Sequence, residues 1–235
     1  AVMALHQQLH SPKHTEHLLP AIHSFLSQNN VAFDTISAVA CCRGPGSFTG
    51  LRVGLAAAKA IAVAREIPLI TVPTLSALMH SRSDSPALQS SNRGLYLPIL
   101  DARKRRFYGQ FFQASDTTAG RDSHPSYREL SPPLDESAEN MLARARGFLG
   151  AASPLHVVGA AAGVFAERVP LDQESVLPDS LRYQDTPLTA VAGLALLAGD
   201  RYGAGDWDPP GQGLEYVRMG DIGGRRSTST FIPDG

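Results

Sequence analysis

Apolar residues in this chain follow two periods, and the switches between them mark out the elements. Leu18, Leu19, Ile22, Phe25 and Leu26 recur at helical spacing and predict a helix over 14–27. Ser11 is its N-cap candidate and Pro12 stands at the first helical position; Pro20, inside the pattern, removes one backbone hydrogen bond. The run Ile36 to Cys41 reads as a strand. A glycine-rich loop follows, Gly44-Pro45-Gly46-Ser47-Phe48-Thr49-Gly50, and opens a helix that runs to Glu66 and is stopped by Pro68. Leu69 to Val72 is a second strand. Strand, helix and strand in this order make a βαβ unit, so the two strands should pair in parallel. A short helix is expected from Thr74 to His80, then a polar, proline-containing hinge over 81–93. A second unit opens at Gly94. Tyr96 to Leu100 and Arg106 to Phe112 are strands joined by five residues, hence an antiparallel hairpin. Tyr127 to Leu130 is a third strand. A helix from Ser137 to Leu149 presents Met141, Leu142 and Ala145, Leu155 to Val158 is a strand ending at Gly159, and a last helix runs from Thr186-Pro187 to Tyr202. At the front, Ala1 to Leu9 reads as a strand entered midway, through either missing preceding sequence or a shortened protein.

The helix after the glycine loop carries a second pattern. Gly50, Gly54, Ala58 and Ala62 recur every fourth residue without a bulky side chain, with Val53, Ala57 and Ile61 beside them. A glycine inside a helix costs about 1 kcal/mol against alanine, so Gly54 needs a close neighbour. Either this helix packs tightly on its own sheet, or the stripe meets a helix of another chain. The second reading assigns a partner interface to His14, Leu18, Leu19, Ile22, Gly50, Val53, Gly54, Ala57, Ala58 and Ile61.

Chemistry is sparse. The loop lacks the Gly-Lys-Ser/Thr ending of a Walker loop, and its glycines are misspaced for a dinucleotide fold. Ser47 has no evident base, and no Cys, His or carboxylate set has metal-ligand spacing, so no catalytic residue, cofactor or metal is assigned. The adjacent Cys41 and Cys42 should point to opposite faces of a strand, as separate thiols. Apolar residues are 43% and charged residues 18%, as in a protein with a substantial core, and the formal net charge is −1. That near-neutrality argues against a general nucleic-acid surface. The local exception is Arg103-Lys104-Arg105-Arg106, read as a charged turn capped by Asp101 with a peripheral nucleic-acid contact as the functional alternative. No apolar run approaches the length of a membrane span.

Gly44-Pro45-Gly46-Ser47-Phe48-Thr49-Gly50-Leu51-Arg52-Val53-Gly54 closely resembles the signature of the bacterial TsaB (YeaZ) family, and Ser11 to Pro20, Leu97 to Arg103 and Glu215-Tyr216-Val217-Arg218 are similar to its other motifs. The resemblance implies an α/β fold of actin-like ATPase (ASKHA) architecture. Two ribonuclease-H-like lobes are expected, over 1–93 and 94–219, the first without its N-terminal strands, with 220–235 a flexible tail. It implies a cytoplasmic, non-catalytic subunit of the machinery forming N6-threonylcarbamoyladenosine at position 37 of tRNAs reading ANN codons. Its partners would be a homologous catalytic TsaD subunit and a TsaE ATPase subunit, with a homodimer through the same helices and tRNA reached indirectly, the peripheral contact at Arg103 to Arg106 then being with tRNA. Val157-Val158-Gly159-Ala160-Ala161 departs from the family's polar second-lobe turn, which weighs against ATP hydrolysis. An ATP-dependent kinase-like enzyme of the same superfamily stays the alternative.

Overall fold

The structure, a computed structural model, describes residues 14–81, 94–114, 127–149, 154–169, 181–184, 190–209 and 211–217. The expected cap at Ser11-Pro12, the hinge beyond Ser81, the start of the last helix at Thr186-Pro187 and the tail lie outside these residues; Ser81 itself ends the helix Thr74–Ser81.

The first unit is the expected βαβ. After helix α1 (His14–Gln28) and a 3-10 turn at Phe33–Thr35 come β1 (Val39–Gly44), α2 (Phe48–Arg65) and β2 (Leu69–Pro73). The strands pair in parallel, Val39 opposite Leu69 through Cys42 opposite Val72. β1 starts three residues later than the apolar run suggested, because the chain is still leaving the 3-10 turn at Ile36. Alternation along the strands sorts the core. Val39, Cys41 and Leu69 face α2, where Leu55, Ala58 and Ala62 meet them. Ala40, Cys42, Ile70 and Val72 face the opposite side. The two cysteines thus point apart, as free thiols. Burial pushes the Cys41 thiol up to about 11, with Cys42 and Asp208 adding to the shift and Lys59 opposing it.

That opposite side is covered by α3 (Thr74–Ser81) and by the last described helix, α6 (Val191–Gly203). The two helices cross at near backbone contact. A Cβ at Gly193 would lie 1.9 Å from the carbonyl oxygen of Ala77. The buried Ser81 hydroxyl bridges them, accepting from Gly193 N–H at 2.7 Å and donating to Ala77 C=O at 2.9 Å. The closing helix therefore packs with the first sheet, since a two-stranded sheet with one face covered by α2 still needs its other face covered.

The second unit is built around β3 (Leu95–Asp101). One edge of β3 pairs antiparallel with β4 (Phe107–Gly109) and β5 (Phe112–Ala114), the other in parallel with β8 (Leu155–Val158), which carries β9 (Leu181–Gln184) beyond it. The expected single return strand is broken in two at Gln110-Phe111. Gln110, 2% exposed, turns its amide to Glu129 Oε2 (3.0 Å) and Ser131 C=O (2.9 Å). The break hands β5 to β6 (Tyr127–Glu129) and β4 to β7 (Leu134–Glu136). α4 (Ala138–Phe148), capped by Ser137, and the short α5 (Ala162–Ala166) cover the face where Leu97, Ile99, Phe107, Met141, Val157 and Phe165 form the main core. β7, α5 and β9 were not read from the sequence, each being too short to show a period. On the other face of β3, Met79 of α3 packs with Tyr96 and Phe112. α3 so contributes to both cores, Ala77 to the first and Met79 to the second.

Candidate functional site

Gly44 ends β1 at φ +118°, a conformation that glycine adopts without strain. It also has no room for a side chain: a Cβ would stand 2.6 Å from the carbonyl oxygen of Glu215. The segment 211–217 lies against the loop here, Glu215 N–H donating to Arg43 C=O at 2.8 Å. The chain's own backbone thus closes against Gly44, while Ser47 to Gly50 at the start of α2 are exposed. Ser47 caps α2, its hydroxyl accepting from Gly50 N–H at 3.4 Å. That assigns a structural role to the serine without a base. Beside the cap, Arg52 lies over the Phe48 ring at 3.8 Å and donates to the Tyr216 hydroxyl at 3.2 Å, while the Phe48 and Tyr216 rings stand 5.7 Å apart. Phe48 and Tyr216 remain 54% and 47% exposed. Burial raises the Glu215 carboxyl above its ordinary range; Arg43 opposes this and Glu129 adds to it.

The small-residue stripe of α2 splits. Each step of four residues turns a 3.6-residue helix by about 40°, so three steps carry the stripe through about 120°. It starts on the surface at Gly50 and ends inside. Ala58, 5% exposed, and Ala62 belong to the core, so Ala58 drops out of the expected interface. Gly54 is half-buried, and a Cβ there would meet nothing within 4 Å, so no contact among the described residues accounts for it. Val53, Ala57, Ile61, Leu18 and Ile22 are half-buried, and Leu19 and Gly50 are exposed. The His14 side chain lies outside what is described. The outer face of α2 is Arg52, Ala56, Ala60, Val63 and Ala64, all exposed, with Val63 at 78%. Half-buried Lys59, two turns past Arg52, borders this face, and the exposed positions between Arg52 and the helix end are alanine and valine.

In the second unit, the β3–β4 turn holds Arg103, Lys104 and Arg105 in three consecutive left-handed conformations (φ 65°, 51° and 60°), all exposed. Arg106 differs: it donates to the Asp135 carboxylate at 2.8 Å and to the Asp135 carbonyl. Sequence reasoning grouped four cations; of these, Arg106 serves as a clamp to β7.

A further feature was missed. On the flank of β2 away from β1, Asp208 N–H donates to Leu69 C=O at 3.0 Å, Thr71 N–H donates to Asp208 Oδ2, and Arg201 donates to Thr71 C=O at 2.8 Å. Arg201 also holds Asp206 and Asp208. The pieces lie about 130 residues apart in sequence, and only a sequence rule for strand edges would have found them.

The model of the family described as TsaD, tRNA N6-adenosine threonylcarbamoyltransferase, matches residues 6–167. The chain belongs to this family, on its TsaB (YeaZ) side. It is 32% identical over 111 residues to the tRNA threonylcarbamoyladenosine biosynthesis protein TsaB of Escherichia coli strain K12, covering 47% of this chain and 46% of that one. It is 33% identical over 100 residues to TsaB of Bacillus subtilis strain 168, covering 43% and 41%. The chain thus spans less than half the length of these curated relatives. Among solved structures it resembles a protein with similarity to peptidase YEAZ from Pseudomonas aeruginosa, with TM-score 0.67 and 22% identity, over 91% of this chain and 88% of that one. The actin-like α/β architecture follows from these likenesses. Among the described residues, no group of three or more His, Cys, Asp or Glu could hold a metal ion, and no helix is long and apolar enough to cross a membrane.

Proposed function

We propose that this chain is a non-catalytic subunit of the cytoplasmic machinery that forms N6-threonylcarbamoyladenosine at position 37 of tRNAs reading ANN codons. It acts by binding a homologous TsaD-type catalytic subunit through α1 and α2, and a TsaE-type ATPase joins the assembly. The observation that carries this reading is α2 itself: one side is an exposed stretch of alanine and valine, and on another side stands Gly54, where a Cβ would meet nothing within 4 Å. Small residues let a second helix approach closely, and uncharged ones lose little on leaving water. A homodimer through the same face would be isologous and would compete with the partner. The reading keeps two ribonuclease-H-like lobes divided at 93/94, with α6 on the first. The kinase-like alternative is not favoured, because the loop lacks a Walker ending and its Ser47 hydroxyl is engaged as the cap of α2.

Gly54→Leu and Ala60→Arg test it. Both are expected to keep the circular dichroism spectrum, and neither to lower the melting midpoint, Gly54→Leu raising it by its better helix propensity. Co-elution with the catalytic subunit, and any self-association seen by light scattering, should be lost. Unchanged association in both variants would rule the α2 face out. ATP turnover by the pure chain, abolished by one substitution, would restore the kinase reading.

A further inference from the structure

We propose that Arg103, Lys104 and Arg105 form a preorganised phosphate-contacting tip for RNA, with Arg106 as its positioning residue. The inference rests on the functional reading above and adds where the RNA backbone touches this subunit. Three observations carry it. First, all three residues are left-handed, a region where residues with a Cβ are strained and glycine or asparagine is expected. Three long cationic side chains stand instead, so the turn keeps charge at the expense of conformational ease. Second, the strain is held by a tight frame. Asp101 Oδ1 accepts from Arg103 N–H at 2.7 Å, Ala102 N–H donates to Arg106 C=O at 3.0 Å, and Arg106 N–H donates to Arg103 C=O at 3.0 Å. The Arg106–Asp135 ion pair pins the base of the turn to β7. Third, the charge is concentrated: the whole chain carries −1, so three exposed cations on one turn are a local field and no part of a general basic surface. A rigid tip loses little freedom on binding, which favours contact with a polyanion already positioned by a partner. Guanidinium groups suit phosphate oxygens through paired donors.

The test uses the complex of this chain with its catalytic subunit and a tRNA transcript, with affinity measured against salt. In R103Q/R105Q the slope of log K against log salt should fall in magnitude by about 1.5, since each lost phosphate contact removes about 0.7 to 0.9. R105G removes one charge and relieves one strained position. It should raise the melting midpoint while lowering the slope by about 0.8. A higher midpoint with an unchanged slope would mean that the tip is only a turn. Loss of binding to phosphatidylserine vesicles with an unchanged tRNA slope would assign the tip to a membrane surface and overturn the proposal. If the wild-type chain does not join the catalytic subunit at all, the functional reading fails and this proposal with it. If the complex forms and modifies tRNA but the double variant keeps the wild-type slope, the tip proposal fails alone.

Discussion

A methyl group at position 193 has nowhere to go. Its carbon would overlap the Ala77 carbonyl oxygen at 1.9 Å and lie 2.7 Å from the Ser81 nitrogen, and both are backbone atoms of α3 that cannot rotate away. Gly193→Ala should therefore lower stability by about 3 kcal/mol, at the upper end of what overpacking costs. Urea unfolding would measure it. Gly54→Ala should do the reverse and add about 1 kcal/mol, the difference in helix propensity, because a Cβ there meets nothing. Equal effects at the two positions would contradict this account. Glu215 makes a prediction of the opposite kind. Its carboxyl is raised above 4.5 chiefly by burial, so the folded chain holds that proton more tightly than the unfolded one. The associated stability is present below 4.5 and is lost as pH rises through the raised value. Glu215→Gln should match the wild type in acid and equal or exceed it at neutral pH. A wild-type melting midpoint above the variant's at pH 7 would show that the Arg43 pair outweighs burial.

Elements differ in how far their own residues explain them. β1, α2 and β2 were legible because their apolar periods change at glycine and proline, and because Cys41 and Cys42 alternate like any strand neighbours. The break between β4 and β5 was not, since Gln110 belongs there only by virtue of Glu129 and Ser131, in strands and turns further along. The docking of α6 was equally hidden: the glycine that admits it lies 112 residues from Ser81. In α2 the four-residue repeat was visible, but its drift around the helix, which buries Ala58 and leaves Gly54 open, follows only once the inner face is known. The edge of β2 rests on Arg201, which joins Thr71 C=O to the Asp208 carboxylate. Arg201→Ala should lower stability by about 2 kcal/mol, because Asp208 is nearly buried and would lose its counter-charge; the figure is discounted for the partly exposed arginine. Asp206→Asn should change stability little, its side chain being 61% exposed. Chemical denaturation of the two variants side by side checks the contrast.

On the scale of the whole molecule, two cores share one short helix. α3 gives Ala77 to one core and Met79 to the other, and its Ser76 hydroxyl reaches Glu129 at 3.1 Å. The candidate surfaces stand on different parts of this frame: the α2 face on the first sheet, the cationic turn at a corner of the second. If the two proposals hold, partner and RNA would engage different sheets of this frame.

The Asp208–Arg201 arrangement has a last consequence, for assembly. Exposed strand flanks recruit other strands indiscriminately. Here the flank at β2 is shut, since an incoming strand would first have to expel a carboxylate and a guanidinium that already satisfy Leu69 and Thr71. Among the described residues, β1 has no strand on its far side. The first sheet is therefore a polar lattice in the growth sense, with one dead end and one live end, and any added strand, from this chain or another, must arrive beside Ala40 and Cys42.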